Sequence, residues 1–133
     1  MKLRVDPHSH VPPSAQLVEA ILDALARGEL AAGDRLPSVR AAAELALVNP
    51  NTVGKAWRDL DALGVIEGKN GSGVFVRPGG VAIAQELRRR STADSFRAAA
   101  AAALRAGWEI GSLEKALAES ARHAAPERSK VKS

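Results

Sequence analysis

The chain has 133 residues, which suits one domain of ordinary size or a small domain with a helical extension. It contains no cysteine, which excludes disulfides, thiolate metal sites and a cysteine nucleophile and fits a reducing cytoplasm. No stretch approaches the roughly 18 apolar residues of a membrane span, and the N-terminal residues lack the apolar core of a secretory signal, so we expect a cytoplasmic protein that contacts no membrane.

Alanine is abundant and aromatic residues make up 3% of the chain, a composition typical of mainly helical proteins. The net charge of +4 invites a nucleic-acid partner, but residues 34–77 hold six cations against five carboxylates. The excess lies later, in Arg88, Arg89 and Arg90 and in the tail after residue 125. Binding of nucleic acid would therefore depend on a few well-placed cations rather than on bulk charge.

Two helices are predicted in the first part of the chain. The first begins near Pro13 or Ser14, where proline suits a first turn and serine can cap, and Gly28 ends it. Leu17, Ile21 and Leu25 form an apolar stripe at helical spacing, so we expect this helix to pack in the core. Ser38 is the expected cap of a second helix that runs to about Ala46.

A third helix has the clearest start signal, because Asn49 can accept a hydrogen bond from the backbone of residue 51 or 52 and Pro50 fits the first helical position. Its predicted buried stripe consists of Val53, Trp57, Leu60 and Leu63. Its opposite face consists of Asn51, Thr52, Lys55 and Arg58. Such a face suits the DNA major groove, although many solvated helices have a similar one.

The segment after the third helix predicts a hairpin. Two β-prone runs, residues 65–67 and 74–76, flank a loop with three glycines and an asparagine, which permit positive φ and a close backbone approach. A phosphate-binding nucleotide loop would need a helix after it, and here a strand follows, so that interpretation is rejected. We expect a wing that lies on the DNA backbone or in a minor groove, with Lys69, Asn70 and Gly71 at its tip.

Residues 13–78 resemble the DNA-binding domain of the GntR family of bacterial transcription regulators. The motifs GDRLPSVR, VNPNTV, LGVIE and GSGVFV match in order and spacing, and the VNPNTV form with a short C-terminal segment is most similar to the YtrA subfamily. The expected fold is mainly α with a small β-wing: a winged helix-turn-helix domain followed by a two-helix C-terminal dimerisation segment.

The resemblance also implies roles for individual residues. Arg40 would contact a guanine in the major groove, which suits its bidentate fork. Arg35 and Ser38 would contact the DNA backbone. With the polar face of the third helix and the wing, the predicted DNA-binding set is Arg35, Ser38, Arg40, Asn49, Asn51, Thr52, Lys55, Arg58, Lys69, Asn70 and Gly71.

The turn before the third helix departs from the family pattern. Leu47 stands where a glycine is usual, and Ala42 and Ala46 replace expected leucines. Either Leu47 keeps a left-handed conformation at a cost of roughly 1–2 kcal/mol, or the turn is relaxed and Leu45 or Leu47 fills the space left by the alanines. We favour the relaxed turn, which a positive φ at Leu47 would contradict. Pro50 replaces an arginine found in many members, so base reading there is reduced.

Two further helices are predicted, over residues 81–106 and 112–124, with Ser112 as the cap of the second. Their apolar side chains exceed what two helices can bury, which favours packing against a second copy; folding back on the winged domain is the alternative. Trp108 is either an interface anchor or a half-exposed cover. The predicted dimerisation residues are Leu87, Phe96, Leu104, Trp108, Ile110, Leu113 and Leu117.

The predicted domains are a flexible N-terminus (1–12), the winged domain (13–78), the helical segment (79–125) and a disordered basic tail (126–133). The tail is either a solvated end or an auxiliary phosphate contact.

The predicted function is that of a dimeric regulator in the bacterial cytoplasm, associated with the nucleoid, that binds a palindromic operator on double-stranded DNA. The resemblance implies repression of a transport or stress operon, with a small-molecule effector possible at the dimer interface. An architectural or protein-interaction module is the alternative. No cofactor or metal is expected, since His8, His10 and His123 form no ligand set, and the absence of a catalytic constellation predicts no enzyme activity.

Overall fold

The computed structural model describes residues 2–132, with side chains described for residues 2–124. The described part holds five helices and one two-stranded antiparallel sheet. Their bounds are α1 Pro13–Ala26, α2 Val39–Ala46, α3 Pro50–Ala62, β1 Ile66–Lys69, β2 Gly73–Val76, α4 Gly80–Arg105 and α5 Ile110–Lys132. The mainly helical fold with a β-wing is thus confirmed. None of the described helices is both long and apolar enough to cross a membrane.

The caps of the second and third helices form as predicted. The Asn49 side-chain oxygen accepts a hydrogen bond from the Asn51 backbone N–H at 2.8 Å, and Pro50 is the first residue of α3. The Ser38 hydroxyl accepts one from the Ala41 N–H at 3.1 Å. Helix α1 begins at Pro13 without a side-chain cap, so Ser14 is not a capping residue; it is buried inside the first turn.

The core of the winged domain lies between α1, α2, α3 and the wing. Apolar residues of α1 and α3 are fully buried there: Leu17, Ile21, Leu25, Val53 and Leu60. Trp57 is 5% exposed, as predicted for a core residue, and its indole N–H donates to the Pro37 carbonyl oxygen at 3.3 Å. Leu63 is 40% exposed, so its place in the buried stripe was wrongly predicted. The reason is that α3 ends at Ala62 and the chain turns away at Gly64, whose φ is +82°.

The turn between α2 and α3 corrects a second expectation. Leu47 has φ 56° and ψ 48°, so it is left-handed and the relaxed turn is wrong. The backbone N–H groups of Leu47 and Val48 both donate to the Ala43 carbonyl, a helix ending that requires a left-handed residue at this position. Leu47 is 90% exposed and Leu45 is exposed too, so neither fills the space beside the alanines, which are themselves buried in the core.

A few residues of the segment before α1 are held on the winged domain, namely Leu3, Val5, Asp6 and Val11, whereas the sequence predicted a flexible end. Leu3 is buried in the core and Val5 packs against it. The Gln16 side chain ties the segment down, since its oxygen accepts from the Asp6 N–H at 2.8 Å and its nitrogen donates to the carbonyls of Asp6 and Val11. One amide on α1 thus satisfies backbone groups of both types in the preceding segment.

The wing is wider than the predicted hairpin. Strands β1 and β2 pair with Ile66 opposite Val76 and Lys69 opposite Gly73. Strand β1 begins one residue later and ends two residues later than predicted, and β2 begins one residue earlier and ends where predicted. Residues 33–36 line the free edge of β2: the Leu36 N–H donates to the Val74 carbonyl at 2.8 Å, and Arg35 forms a bridge with Phe75. Strand β2 is therefore the middle strand of the wing.

The chain divides into two compact units, Met1–Arg88 and Arg89–Ser133, so the first unit continues past the predicted boundary at residue 78. Gly80 and Ala84 of α4 are buried in the first unit. Helix α5 begins at Ile110, and the Ser112 N–H donates to the Glu109 carbonyl, so Ser112 is inside the helix and is not its cap. Helix α5 also runs beyond residue 124. The side chains of the predicted basic tail lie outside the described residues, and its role stays a prediction.

Candidate nucleic-acid interface

Helix α3 presents a polar face because its apolar face is buried in the core. Asn51, Lys55 and Arg58 are exposed and Thr52 is partly buried, while Val53, Trp57 and Leu60 face inward. None of these four outward side chains belongs to the hydrophobic core. The amide, hydroxyl and cationic groups predicted to read DNA are therefore available on one helix.

Two cations of α3 differ in their surroundings. The Lys55 ammonium lies 3.1 Å from an oxygen of Asp59 one turn later, an exposed ion pair of the kind worth little to stability. Arg58 is in no ion pair among the described residues, and its guanidinium reaches back over Gly54, where a Cβ would meet it at 3.4 Å. Arg58 is thus free to bind an anion, whereas Lys55 must first leave Asp59.

The start of α2 places Arg40 and Ser38. Arg40 is the second residue of the helix, is exposed and takes part in no ion pair within the described part of the chain. The hydroxyl oxygen of Ser38 accepts the capping hydrogen bond, which leaves its proton to donate to a phosphate. Asn49 is similarly committed, since its oxygen caps α3 and its NH₂ group is what remains for a nucleic acid.

The wing carries the remaining predicted residues. Asn70 and Gly71 form an exposed tip, and Gly71 has φ +68°, which glycine adopts without strain. Lys69 lies just before the tip, with its ammonium 5.1 Å from the centre of the Phe75 ring. Arg35 lies across the other edge of β2.

Three contacts fix these elements relative to one another. The Trp57 indole bonds to the Pro37 carbonyl, which joins α3 to the segment that leads into α2. The Arg35 bridge to Phe75 and the Leu36 bond to Val74 join the same segment to the wing. The structure therefore gathers the start of α2, the polar helix and the wing around one short segment.

The sequence predicted Phe75 in a strand, but it placed Gly73 in the loop and did not predict that residues 33–36 pair with β2. The available signal was the alternation of Asp34, Arg35 and Leu36, in which Leu36 alone is apolar and is buried in the structure. A run this short, ending at a proline, is too weak to predict a strand.

The second unit shows a different kind of surface. Phe96, Leu104, Trp108, Ile110 and Leu117 are exposed, and Leu113 is partly buried. Leu87 differs from the other predicted dimerisation residues because it packs partly against the core of the first unit. Phe96 and Leu104 lie two turns apart on α4, and Ile110, Leu113 and Leu117 share one face of α5. These two rows are called the apolar stripes below.

The model of the gntR family of bacterial regulatory proteins matches residues 13–76, which hold all of the helix-turn-helix and the wing. The solved structure of YtrA from Sulfolobus acidocaldarius, a GntR-family transcription factor, is 30% identical with a TM-score of 0.57, and the match covers 75% of this chain and 99% of that one. The chain belongs to the GntR family. Members of this family are DNA-binding transcription regulators and not enzymes.

Two further relatives bear on function. The transcriptional repressor YtrA of Bacillus subtilis strain 168 is 36% identical over 74 residues, which make up 56% of this chain and 57% of that protein. The match thus spans little more than half of this curated relative. The DNA-binding domain of AraR, solved in complex with operator ORX1, is 26% identical with a TM-score of 0.52, over 57% of this chain and 98% of that one.

Proposed function

We propose that this GntR protein is a sequence-specific repressor that binds a palindromic operator as a homodimer, in the bacterial cytoplasm. The observation that supports it best is that Arg40 at the start of α2 and Asn51 and Arg58 on α3 are exposed, and that the two arginines are in no ion pair among the described residues. Arg40 reads a guanine through its bidentate fork, while Asn51 and Thr52 contact base edges or phosphates at the start of α3.

The dimer in this proposal is formed by the apolar stripes of α4 and α5, with a second copy of the chain as their partner. Ile110 is 65% exposed and Trp108 is 52% exposed, and burial of such side chains stabilises association by about 25 cal/mol per Å² of apolar surface. In such a dimer a two-fold axis would relate two identical helix-turn-helix surfaces, each of which contacts the DNA. Operator half-sites should then be about one helical turn apart, or a multiple of it.

Repression is proposed because the B. subtilis relative YtrA bears that description. Control of a transport or stress operon, and release by a small effector at the dimer interface, belong to the same proposal. The near-equal numbers of cations and carboxylates in residues 34–77 favour a regulator that depends on placed contacts over one that coats DNA by bulk charge.

Selection from a library of random DNA duplexes by the full-length protein at physiological salt tests the proposal. We expect enrichment of one two-fold symmetric site. Equal affinity for the enriched site and for a mixed-sequence duplex would favour the alternative of an architectural or protein-interaction module.

Arg40→Ala gives the sharpest test of base reading. The variant should lose roughly 5-fold to 150-fold of its preference for each half-site of the selected sequence, because a bidentate contact to guanine contributes about 1–3 kcal/mol of discrimination. Arg40→Lys keeps the charge but not the fork and serves as the matched control. It should retain affinity for mixed-sequence DNA while losing most of the preference, as measured by fluorescence anisotropy with both duplexes.

A further inference from the structure

The outer face of the wing holds two cations, and one strand positions both. Residues directly opposite each other in neighbouring strands share a face of a sheet, as do alternate residues along a strand. Phe75 of β2 is paired with Arg35 along one edge of the strand, and Gly73 of β2 is opposite Lys69 along the other edge. Residues 73 and 75 are two positions apart in β2, so they lie on the same face. Arg35 and Lys69 therefore flank β2 on the same face.

This face is directed to solvent and not to the core. The opposite face carries Leu36, Ile66 and Val76, which are all buried. On the outer face, Arg35 and Lys69 are exposed, and Gly73 and Phe75 are partly buried beneath them.

Gly73 leaves the space in which the Arg35 guanidinium lies. A Cβ built at Gly73 would come within 2.6 Å of Arg35 Nε and within 3.1 Å of Nη2, closer than such atoms approach. Any side chain at position 73 would displace the guanidinium. The position also has φ +116°, which only glycine adopts readily.

Phe75 supports the second cation. The Lys69 ammonium lies 5.1 Å from the centre of its ring, within the range of a cation–π interaction. A lysine side chain otherwise has several freely rotating bonds, so the ring limits the positions that its charge can take.

Neither Arg35 nor Lys69 has an ion-pair partner in the part of the chain whose side chains are described. The described carboxylate on this face, that of Glu67, lies 3.8 Å from Arg77 Nε. Two positive charges thus flank β2 on one face, and the described carboxylate on that face is in an ion pair with Arg77.

We propose that Gly73 and Phe75 are positioning residues, which hold the expected backbone-binding cations Arg35 and Lys69 in place on one face of the wing before the phosphates of the DNA bind. This inference rests on the proposed function, because it assigns the wing to the DNA. The two cations bind through charge and carry no base preference, so they add affinity equally for any duplex. They are ordered before binding, which lowers the entropic cost of the contact.

Double-mutant cycles in the full-length protein test this positioning, with affinities measured over a range of salt for the selected duplex and for a mixed-sequence duplex. Lys69→Ala should weaken both complexes and reduce the slope of log K against log salt by about one for each bound copy of the chain, which is about two for a dimer. Phe75→Leu keeps an apolar side chain and removes the ring face. It should weaken both complexes about twofold to fivefold, in line with an exposed cation–π contact.

The decisive result is the dependence of each positioning residue on its cation. Phe75→Leu should have no effect in the Lys69→Ala background, and Gly73→Ala should have no effect in the Arg35→Ala background. An equal effect of Phe75→Leu with and without Lys69 would mean that Phe75 merely stabilises the wing, and would overturn the inference. Gly73→Ala can perturb folding, so the Phe75 cycle stands as the independent test, with thermal melts of each variant.

Two controls separate this inference from the proposed function. Lys115→Ala removes one charge from α5 and should leave the salt slope unchanged. If Arg35→Ala and Lys69→Ala leave affinity intact while Arg40→Ala removes the preference for the selected site, the inference about the wing is refuted and the repressor proposal stands. If the unmodified protein shows no preference at all, it is the proposed function that fails.

Discussion

The two units of the chain distribute their apolar residues in opposite ways. In the first unit, Leu17, Ile21 and Leu60 are fully buried and the exposed surface around α3 is polar. In the second unit, Phe96, Trp108 and Ile110 are more than half exposed. The first unit has a core of its own, whereas the second carries an apolar surface that the described residues leave exposed. The comparison separates a polar surface on the first unit, which we propose reads DNA, from an apolar surface on the second, which we propose forms the dimer.

The two tryptophans allow a direct comparison, because one lies in each unit. The largest expected change in the free energy of unfolding is that of Trp57→Ala. Trp57→Ala should lower the free energy of unfolding by about 3–5 kcal/mol, since it opens a cavity and removes the bond to Pro37. Trp108→Ala should change that free energy far less when the protein is diluted to a monomer. Chemical denaturation followed by circular dichroism measures both. Similar losses for the two variants would contradict the comparison.

Charges placed in the apolar stripes test the second unit. Phe96→Glu combined with Ile110→Glu should raise the dissociation constant of the dimer at least about 100-fold, because an unpaired buried carboxylate costs several kcal/mol. Ser95→Glu combined with Ser112→Glu adds the same charge at exposed polar positions and should leave the dimer intact. Sedimentation velocity distinguishes the outcomes. A dimer that persists in the stripe variant, or an unmodified protein that is monomeric, would refute the assignment.

Leu47 is the exception in the first unit, since it is exposed, apolar and left-handed. Leu47→Asn should raise the free energy of unfolding by about 1 kcal/mol, because asparagine adopts this conformation at lower cost. Leu47→Gly removes the strain too but loses part of the gain to the greater entropy of the unfolded chain. Leu47→Ala keeps the strain and is the matched control. An unchanged melting temperature in all three variants would show that the turn stores no strain.

The smallest effect concerns the polar surface of the first unit. Asp59→Asn frees Lys55 and should raise affinity for DNA about twofold to threefold, with a change in stability below about 0.5 kcal/mol. Asp61→Asn removes the same charge from α3 without touching Lys55. If both variants raise affinity equally at physiological salt, bulk charge and not the release of Lys55 explains the gain.

The sequence predicted the helix-turn-helix well because its signals are local. Asn49 caps a helix that begins one residue later, and Ser38 does the same for α2, so neither depends on distant parts of the chain. The buried stripe of α3 follows from helical spacing, and it failed at Leu63 because the helix ends before that residue can turn inward. The anchoring of the segment before α1 was missed, since it depends on Gln16, a polar residue on α1 with no periodic signal.

What the sequence by itself determined is the family, the order of the elements and the residues that face DNA in the proposal, because caps, periodicity and glycine-rich turns act over a few residues. Tertiary structure alone decided how the wing holds its cations. Arg35 lies over Gly73 and Lys69 over Phe75 only once three separate segments pair side by side, and the register of that pairing depends on which side chains reach the core. The left-handed conformation of Leu47 was likewise decided by the tertiary structure. The sequence allowed two turns, and the closing of α2 against the core selected the strained one.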